Sequence, residues 1–460
     1  MSDDRFDDID AAFLAEWEHQ REEAGDAPDE DNDELWTARA ELELVRDFAR
    51  ARRVSPLAVL GVVLARVIAH TPPDVVLPDL VGDQASLNLF VALVGRSGQG
   101  KGGAEAAGMA LLDMPEPLSP QGIGSGEGLP HLFVTGSYVT ETNEETKKSF
   151  RRWVVRHHAT AALVSVPEVD TLGALTSRSG STLAPELRKA YMGEQLGFQY
   201  ASAEKRLPVA RHAYRLALVV GVQPARAEVL LNDVDGGTPQ RYLWLPTSDP
   251  NAPDIRPDDP RETFPWKTPQ PTNDPHCRYR RGHWEIPVCD TARQLVDANR
   301  LASLRGTVEA LDAHALLTRL KVAAALGLLS NHLGVNEQDW RLSGLLMRIS
   351  DGVRATIRRH LDEKLRSSNA AAGRLEAERA AVMSDALAKQ EIAKVRAAVL
   401  TALARHKDGA PRAVLTRCVT PRLRGHLDQV LESLVAEEVI DEYRTNADGP
   451  GRKGAMYRRR

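Results

Sequence analysis

Residues Gly95-Arg96-Ser97-Gly98-Gln99-Gly100-Lys101 fit the pattern GxxxxGK, and Gly102 and Gly103 follow directly. Such a string supports phosphate binding. Its glycines let successive backbone N–H groups curl around anionic oxygens, the helix that follows adds partial positive charge at its N-terminus, and Lys101 reaches the outer phosphates. The pattern has this meaning only between a strand and a helix; the apolar run LFVALV precedes it and GAEAAGMALL follows. The alternative, a plain glycine-rich turn, explains neither flank. One position departs from the usual loop: Gly102 stands where Ser or Thr normally offers a hydroxyl to magnesium. ATP and Mg2+ are the expected ligands, the metal being held by water and acids alone or by a substituting side chain.

Hydrolysis needs a carboxylate that activates water. Glu168 follows the run AALVSVP, at the expected end of a core strand, and Asp170 lies two residues on; these are the candidate metal-side acids. Pro167 occupies the place of the commoner first acid. Glu127, in Gly124-Ser125-Gly126-Glu127-Gly128, is the other candidate base. For each, the competing reading is a surface acid at a helix start, where Asp and Glu are favoured anyway. Gln223 ends YRLALVVGVQP and is placed to sense a γ-phosphate, unless its amide merely satisfies the turn before Pro224. Arg241 precedes YLWLP; an arginine there could act as a finger in a neighbouring subunit, an effect worth roughly 10³–10⁵ in rate in other phosphoryl-transfer systems. The segment holding Arg178, Arg188 and Lys189 is a candidate loop for tracking a nucleic-acid backbone.

The elements that must carry these residues read as an α/β core. Ser55-Pro56 marks a helix start within a helical segment over 35–75, and short apolar runs alternate with amphipathic stretches from 76 to 250. Eight prolines in residues 249–276 predict an extended connector over 251–289 and a domain boundary there. A helical subdomain is expected over 290–369, which includes His314, Lys321 and Trp340, with His314 and Trp340 as core or cap residues, and an Ala-rich linker helix over 370–392.

Residues 393–460 predict three helices and a two-stranded hairpin, the pattern of a winged helix. Arg422 and Arg424 fall at the start of its third helix and Arg452 and Lys453 in its wing, where phosphates and groove edges would be met. A winged helix used for protein contacts is the competing reading, because the chain's 47 Arg against 12 Lys weaken any single arginine as evidence.

Composition fits this assignment. Residues 1–34 hold 15 Asp and Glu against two Arg, net −13 in a chain of net −5, so the remaining residues carry +8. An acidic disordered tail on a basic body is the expectation. Three scattered cysteines exclude a disulfide framework or paired zinc site, and no apolar run approaches the ~20 residues of a membrane span, which points to a reducing cytoplasmic location.

In order, SPLAVLGVVLARV, LNLFVALVGRSGQGKG, SGEG, TNEETKKSFRRW, SVPEVDTL, ELRKAY, GVQP, QRYLWLP and LKVAAALGLL, before the terminal winged helix, resemble the helicase-like P-loop ATPases of phages, plasmids and integrated elements of high-GC bacteria. The resemblance covers residues 50–460. It implies a RecA- or AAA-like core, ATP hydrolysis, DNA as ligand and a homo-oligomeric ring, with Lys101 on phosphate, Glu168 as the acid, Gln223 as sensor and Arg241 as finger. A primase-polymerase encoded separately is an implied partner. The expectation is therefore an ATP-dependent DNA motor; its rivals are a nucleotide-regulated, non-catalytic DNA-binding initiator and a small-molecule kinase.

Overall fold

A computed structural model of the 460-residue chain describes residues 34–114, 116, 118–142, 148–233, 236–260, 264–306, 311–444 and 454–460, with the side chains of 311–313 left aside. The acidic segment before residue 34 lies outside them. Two compact units divide at Lys364 and Leu365.

The first unit opens with helices α1 (Ala40–Ala51) and α2 (Pro56–Ala69). Ser55 caps α2, its hydroxyl accepting from the Ala58 N–H at 3.4 Å, and Pro56 takes the first helical position. Every residue of α2 except Leu57 is buried, as befits a helix apolar on all faces. Strands β1 (Val75–Leu77), β2 (Ala85–Ser86) and β3 (Leu89–Val94), helix α3 (Lys101–Leu111) and strands β4 (Leu112–Asp113), β5 (Val134–Thr142), β6 (Ser149–His157) and β7 (Ala161–Val166) follow. Then come α4 (Val169–Thr176), α5 (Leu183–Met192), β8 (Arg215–Val222), α6 (Glu228–Leu231) and β9 (Tyr242–Pro246). The unit is completed by β10 (Phe264–Pro265), β11 (Arg278–Arg280), β12 (His283–Glu285), α7 (Asp290–Leu304) and α8 (Leu311–Leu329). Helix α9 (Glu337–Arg405) begins in this unit.

The central sheet has the order β7-β8-β3-β9, all parallel. Parallel sheets are covered on both faces, so their strands are continuously apolar, and β3, β8 and β9 are buried at every residue. Helix α2 covers one face through Gly61, where a Cβ would come within 2.7 Å of Leu245 and 2.9 Å of Val91. Phe90, Val166, Tyr191, Leu218 and Trp244 belong to the core on the other face.

Three boundaries differ from expectation. The Pro-rich segment does not separate domains: Trp266 between its prolines is fully buried, donates from Nε1 to the Leu328 carbonyl at 2.7 Å, and β12 pairs in parallel with β1. Prolines forbid a helix there, but the apolar residues between them still find a core. The helices after residue 290 pack on the same core, with the buried Lys321 ammonium donating to the carbonyls of Asn88 and Tyr191 at 2.9 and 2.6 Å. Finally, α9 runs unbroken through residues 369 and 392, because its Ala-, Glu- and Arg-rich sequence contains no proline.

The second unit takes the end of α9, β13 (Ala410–Pro411), α10 (Arg412–Cys418), α11 (Leu427–Ala436), β14 (Ile440–Arg444) and β15 (Ala455–Arg459). Its sheet has the order β13-β15-β14, one strand more than the expected hairpin, around a core that includes Val399, Leu415, Leu431, Leu434 and Ile440. No helix among the described residues is long and apolar enough to cross a membrane.

Candidate functional site

In a parallel α/β sheet, ligands bind beyond the carboxyl ends of the strands, because helix N-termini and loops converge there. The 95–101 segment lies at that edge. Gly95 donates to the Val222 carbonyl at the end of β8 (2.9 Å), and Thr247 after β9 donates to that of Val94 (2.8 Å). The loop therefore springs from the middle of the sheet with a strand end on each side. Gly98 and Gly100 have φ of 80° and 76°, a left-handed backbone that favours glycine, and Gly100 caps α3. Gly95 answers a different need: a Cβ there would fall 1.8 Å from the Thr247 hydroxyl.

Side chains hold the loop from within. Gln99 Oε1 accepts from the Arg96 N–H at 2.7 Å, and Lys101 Nζ donates to the carbonyls of Gly95 and Arg96 at 2.6 and 2.8 Å. Ser97 and Gly98 are exposed, as are Gly102 and Gly103. A Cβ on Gly102 would meet nothing within 4 Å, so the missing hydroxyl there is a matter of sequence and not of space.

Glu168 follows β7 and is the N-cap of α4, in extended conformation and exposed, without a side-chain capping bond. Its carboxylate belongs to the same sheet edge as the loop, with β8 between their strands. Asp170 is ion-paired with Arg226. Gln223 follows β8 directly, next to the loop-bearing strand, and is half-buried. Glu127 sits in the turn Gly126–Leu132 and accepts from the Thr182 hydroxyl at 2.9 Å; its own N–H and then Thr182 hold its carboxyl below the usual range. The preceding chain pairs with β7 through Gln121 and Val164, so β7 and β8 both intervene between that segment and β3. Glu127 lines a cavity of about 320 Å³ with Pro130, His131, Phe198, Tyr200 and Lys205.

Arg241 is brought to a different place. It precedes β9, so in this parallel sheet it lies at the edge opposite the loop, buried. Its guanidinium donates to the Gly236 carbonyl and to His314 Nε2 at 3.2 Å, and burial lowers its pKa. A finger must extend from a free surface, whereas this side chain extends into its own core. Arg188 is paired with Asp233, Lys189 with Glu186 at 2.5 Å, and Arg178 is exposed. His314 is held near pH 4 by burial and then by Arg241 and Lys321, and Trp340 is buried beneath the Arg319 guanidinium, 3.7 Å from the ring centroid.

Two features escape a reading by apolar runs. Thr247 and Ser248, just after β9, have buried hydroxyls without a hydrogen-bond partner among the described residues, and Thr247 touches the loop at Gly95. Only their position after an apolar run marks them in sequence. The β5–β6 ribbon is the other, its signal being a broken polar-apolar alternation on either side of residues 143–147 of the sequence.

In the second unit Arg422 and Arg424 lie in the 3-10 turn Pro421–His426 that precedes α11, not in the helix itself. Arg422 is exposed beside Glu391, at 3.6 Å, while Arg424 Nε donates to the Thr416 carbonyl at 3.1 Å and so fixes the end of α10. Arg452 and Lys453 lie outside the described residues. Among those described, no cluster of three or more His, Cys, Asp or Glu could hold a metal. No protein-family description and no curated protein sequence matches the chain.

Proposed function

We propose that the chain is an ATP-dependent DNA motor, a replicative helicase or helicase-like ATPase of a mobile genetic element. The observation that carries this reading is the convergence at one sheet edge of the 95–101 loop, Glu168 ending the chain after β7, and Gln223 ending that after β8. A RecA- or AAA-like P-loop core accounts for that arrangement. The α9–β13–α10–α11–β14–β15 succession of the second unit supports a winged helix.

In this reading the N–H groups of the loop surround the ATP phosphates and Lys101 exchanges the Gly95 and Arg96 carbonyls for outer phosphate oxygens. Glu168 orients the attacking water and accepts its proton, and Gln223 contacts the γ-phosphate and transmits its loss along β8. A magnesium ion, when bound with the nucleotide, neutralises phosphate charge. Of the chain's acids Glu168 is placed to hold it, since Asp170 is already paired and Gly102 has no hydroxyl. DNA is the partner, a homo-oligomeric ring the working assembly.

ATP turnover with and without DNA tests the proposal: DNA-stimulated hydrolysis that Lys101→Ala abolishes is expected. Turnover no higher than that of the variant overturns it. The absent hydroxyl at Gly102 and Pro167 before Glu168 favour one rival, a non-catalytic initiator or regulator in which ATP sets only the assembly state. That rival predicts nucleotide-dependent DNA binding without hydrolysis.

A further inference from the structure

The β5–β6 ribbon is a two-stranded sheet, nine residues per strand, with register from Val134 opposite His157 to Thr142 opposite Ser149. Alternation divides its side chains. One face carries Trp153 and Val155, which pack against the core, together with Tyr138 and Arg151; the other carries Phe150, Arg152, Val154 and Arg156. Gly136 makes the first face possible, since a Cβ there would lie 1.9 Å from the Trp153 ring.

Aromatic rings on this ribbon are held outward. Tyr138 is 43% exposed and Phe150 48%. Tyr138 meets Trp153 edge-on at 5.2 Å, its hydroxyl is hydrogen-bonded to Glu204, and the Arg151 guanidinium lies over its ring, 4.4 Å from the centroid. The two strands carry Arg151, Arg152 and Arg156, with Lys148 just before β6, against one carboxylate, Glu141, which pairs with Arg152. Among the described residues Lys148, Arg151 and Arg156 have no carboxylate partner; the joining residues 143–147 add two Glu and one Lys to the sequence.

Exposed rings interleaved with arginines are the chemistry of a strand-binding surface: rings stack on bases whatever their identity, and guanidinium groups meet phosphates or stack themselves. A protein-docking face would instead offer contiguous apolar area. We propose that the β5–β6 ribbon is a contact surface for single-stranded nucleic acid, with Phe150 as a stacking platform and Arg152 and Arg156, on the same face, as phosphate contacts. This deepens the DNA-motor reading by naming a contact surface separate from the terminal unit, and it rests on that reading only for the choice of DNA as probe.

Fluorescence anisotropy of a labelled oligo-dT with the full chain tests it. Arg152→Ala/Arg156→Ala is expected to weaken binding at least about tenfold and to lower the slope of log K against log salt by roughly 1.4, at about 0.7 per lost phosphate contact. Phe150→Ala, on an exposed ring, should weaken binding about fivefold or more with little change in slope. Oligo-dT affinity and slope unchanged in the double variant, at parental melting temperature, overturn the proposal; so does a change confined to oligomeric state. A ribbon-dependent affinity in a chain without DNA-stimulated ATP turnover would sink the motor reading and leave this one standing.

Discussion

Gly221 of β8 lies against the backbone of Pro167: a Cβ on it would fall 2.0 Å from the Pro167 carbonyl oxygen and 3.4 Å from Cδ of Lys101. The position has an ordinary negative or extended φ, so contact alone excludes a side chain there. Because the obstacle is a carbonyl and not a flexible side chain, Gly221→Ala must push the 166–168 turn off the end of β8. A loss of about 1–3 kcal/mol is expected, the range for overpacking in a close-packed core. Thermal unfolding should show a fall of several degrees, and, on the proposed function, ATP binding should weaken as the Pro167 turn beside Lys101 shifts. A variant as stable as the parent would mean that the turn moves freely and that the three residues are not one rigid corner.

Gly102 is the opposite case. Nothing lies within 4 Å of where its Cβ would be, and its φ is not positive, so serine fits in the first turn of α3 without strain. Gly102→Ser should keep or slightly raise the melting temperature, glycine costing about 0.5–1 kcal/mol in a helix relative to alanine. On the proposed function it also places a hydroxyl beside the phosphates and metal, and nucleotide affinity measured in magnesium should rise. If affinity is the same with and without magnesium in both proteins, the metal is not held at this position.

Glu168 and Glu127 make separable predictions. Glu168 is exposed at the loop edge, whereas Glu127 is tied to Thr182 at 2.9 Å and lies beyond β7. On the proposed function Glu168→Gln should bind ATP without magnesium like the parent yet lose about 10²–10⁴ in turnover, the scale of a general base. Glu127→Gln should hydrolyse near the parental rate. Steady-state turnover beside nucleotide binding decides the matter, and the reverse pattern would transfer the role to Glu127.

The core was legible because parallel strands buried on both faces are continuous apolar runs: LFVALV, ALVSV and LALVVGV need no long-range information to be recognised. Helix α2 announced itself through Ser55 and Pro56. The β5–β6 ribbon did not, since one of its faces looks to solvent and its polar-apolar alternation is interrupted by Gly136, Ser137 and Arg152. Arg241 could have been placed from sequence alone: it stands before a strand that runs parallel to β3, hence at the edge remote from a loop that follows β3. The continuity of α9 could not, because a helix of mixed charge and alanine carries no signal of where packing stops.

His212 supplies a pH dependence. It is 5% exposed, has φ of 55°, and neither ring nitrogen has a hydrogen-bond partner among the described residues. Burial first, then Arg211, His283 and Arg215, press its pKa down to about 4, against a weaker opposing pull from Asp83. The folded protein therefore keeps this ring neutral while the unfolded chain, near 6.5, takes up the proton. Between those two values the unfolded state binds more protons, so stability falls as pH drops from about 6.5 to 4, by at most ~3 kcal/mol for this one group. His314, also near 4, acts in the same direction. Asparagine tolerates the left-handed backbone and does not titrate, so His212→Asn should flatten the stability-against-pH curve over that window by up to one proton, whatever packing it loses at pH 7. Urea unfolding at half-unit steps of pH reads the slope directly, and a slope equal to the parent's would show that the imidazole is protonated alike in both states.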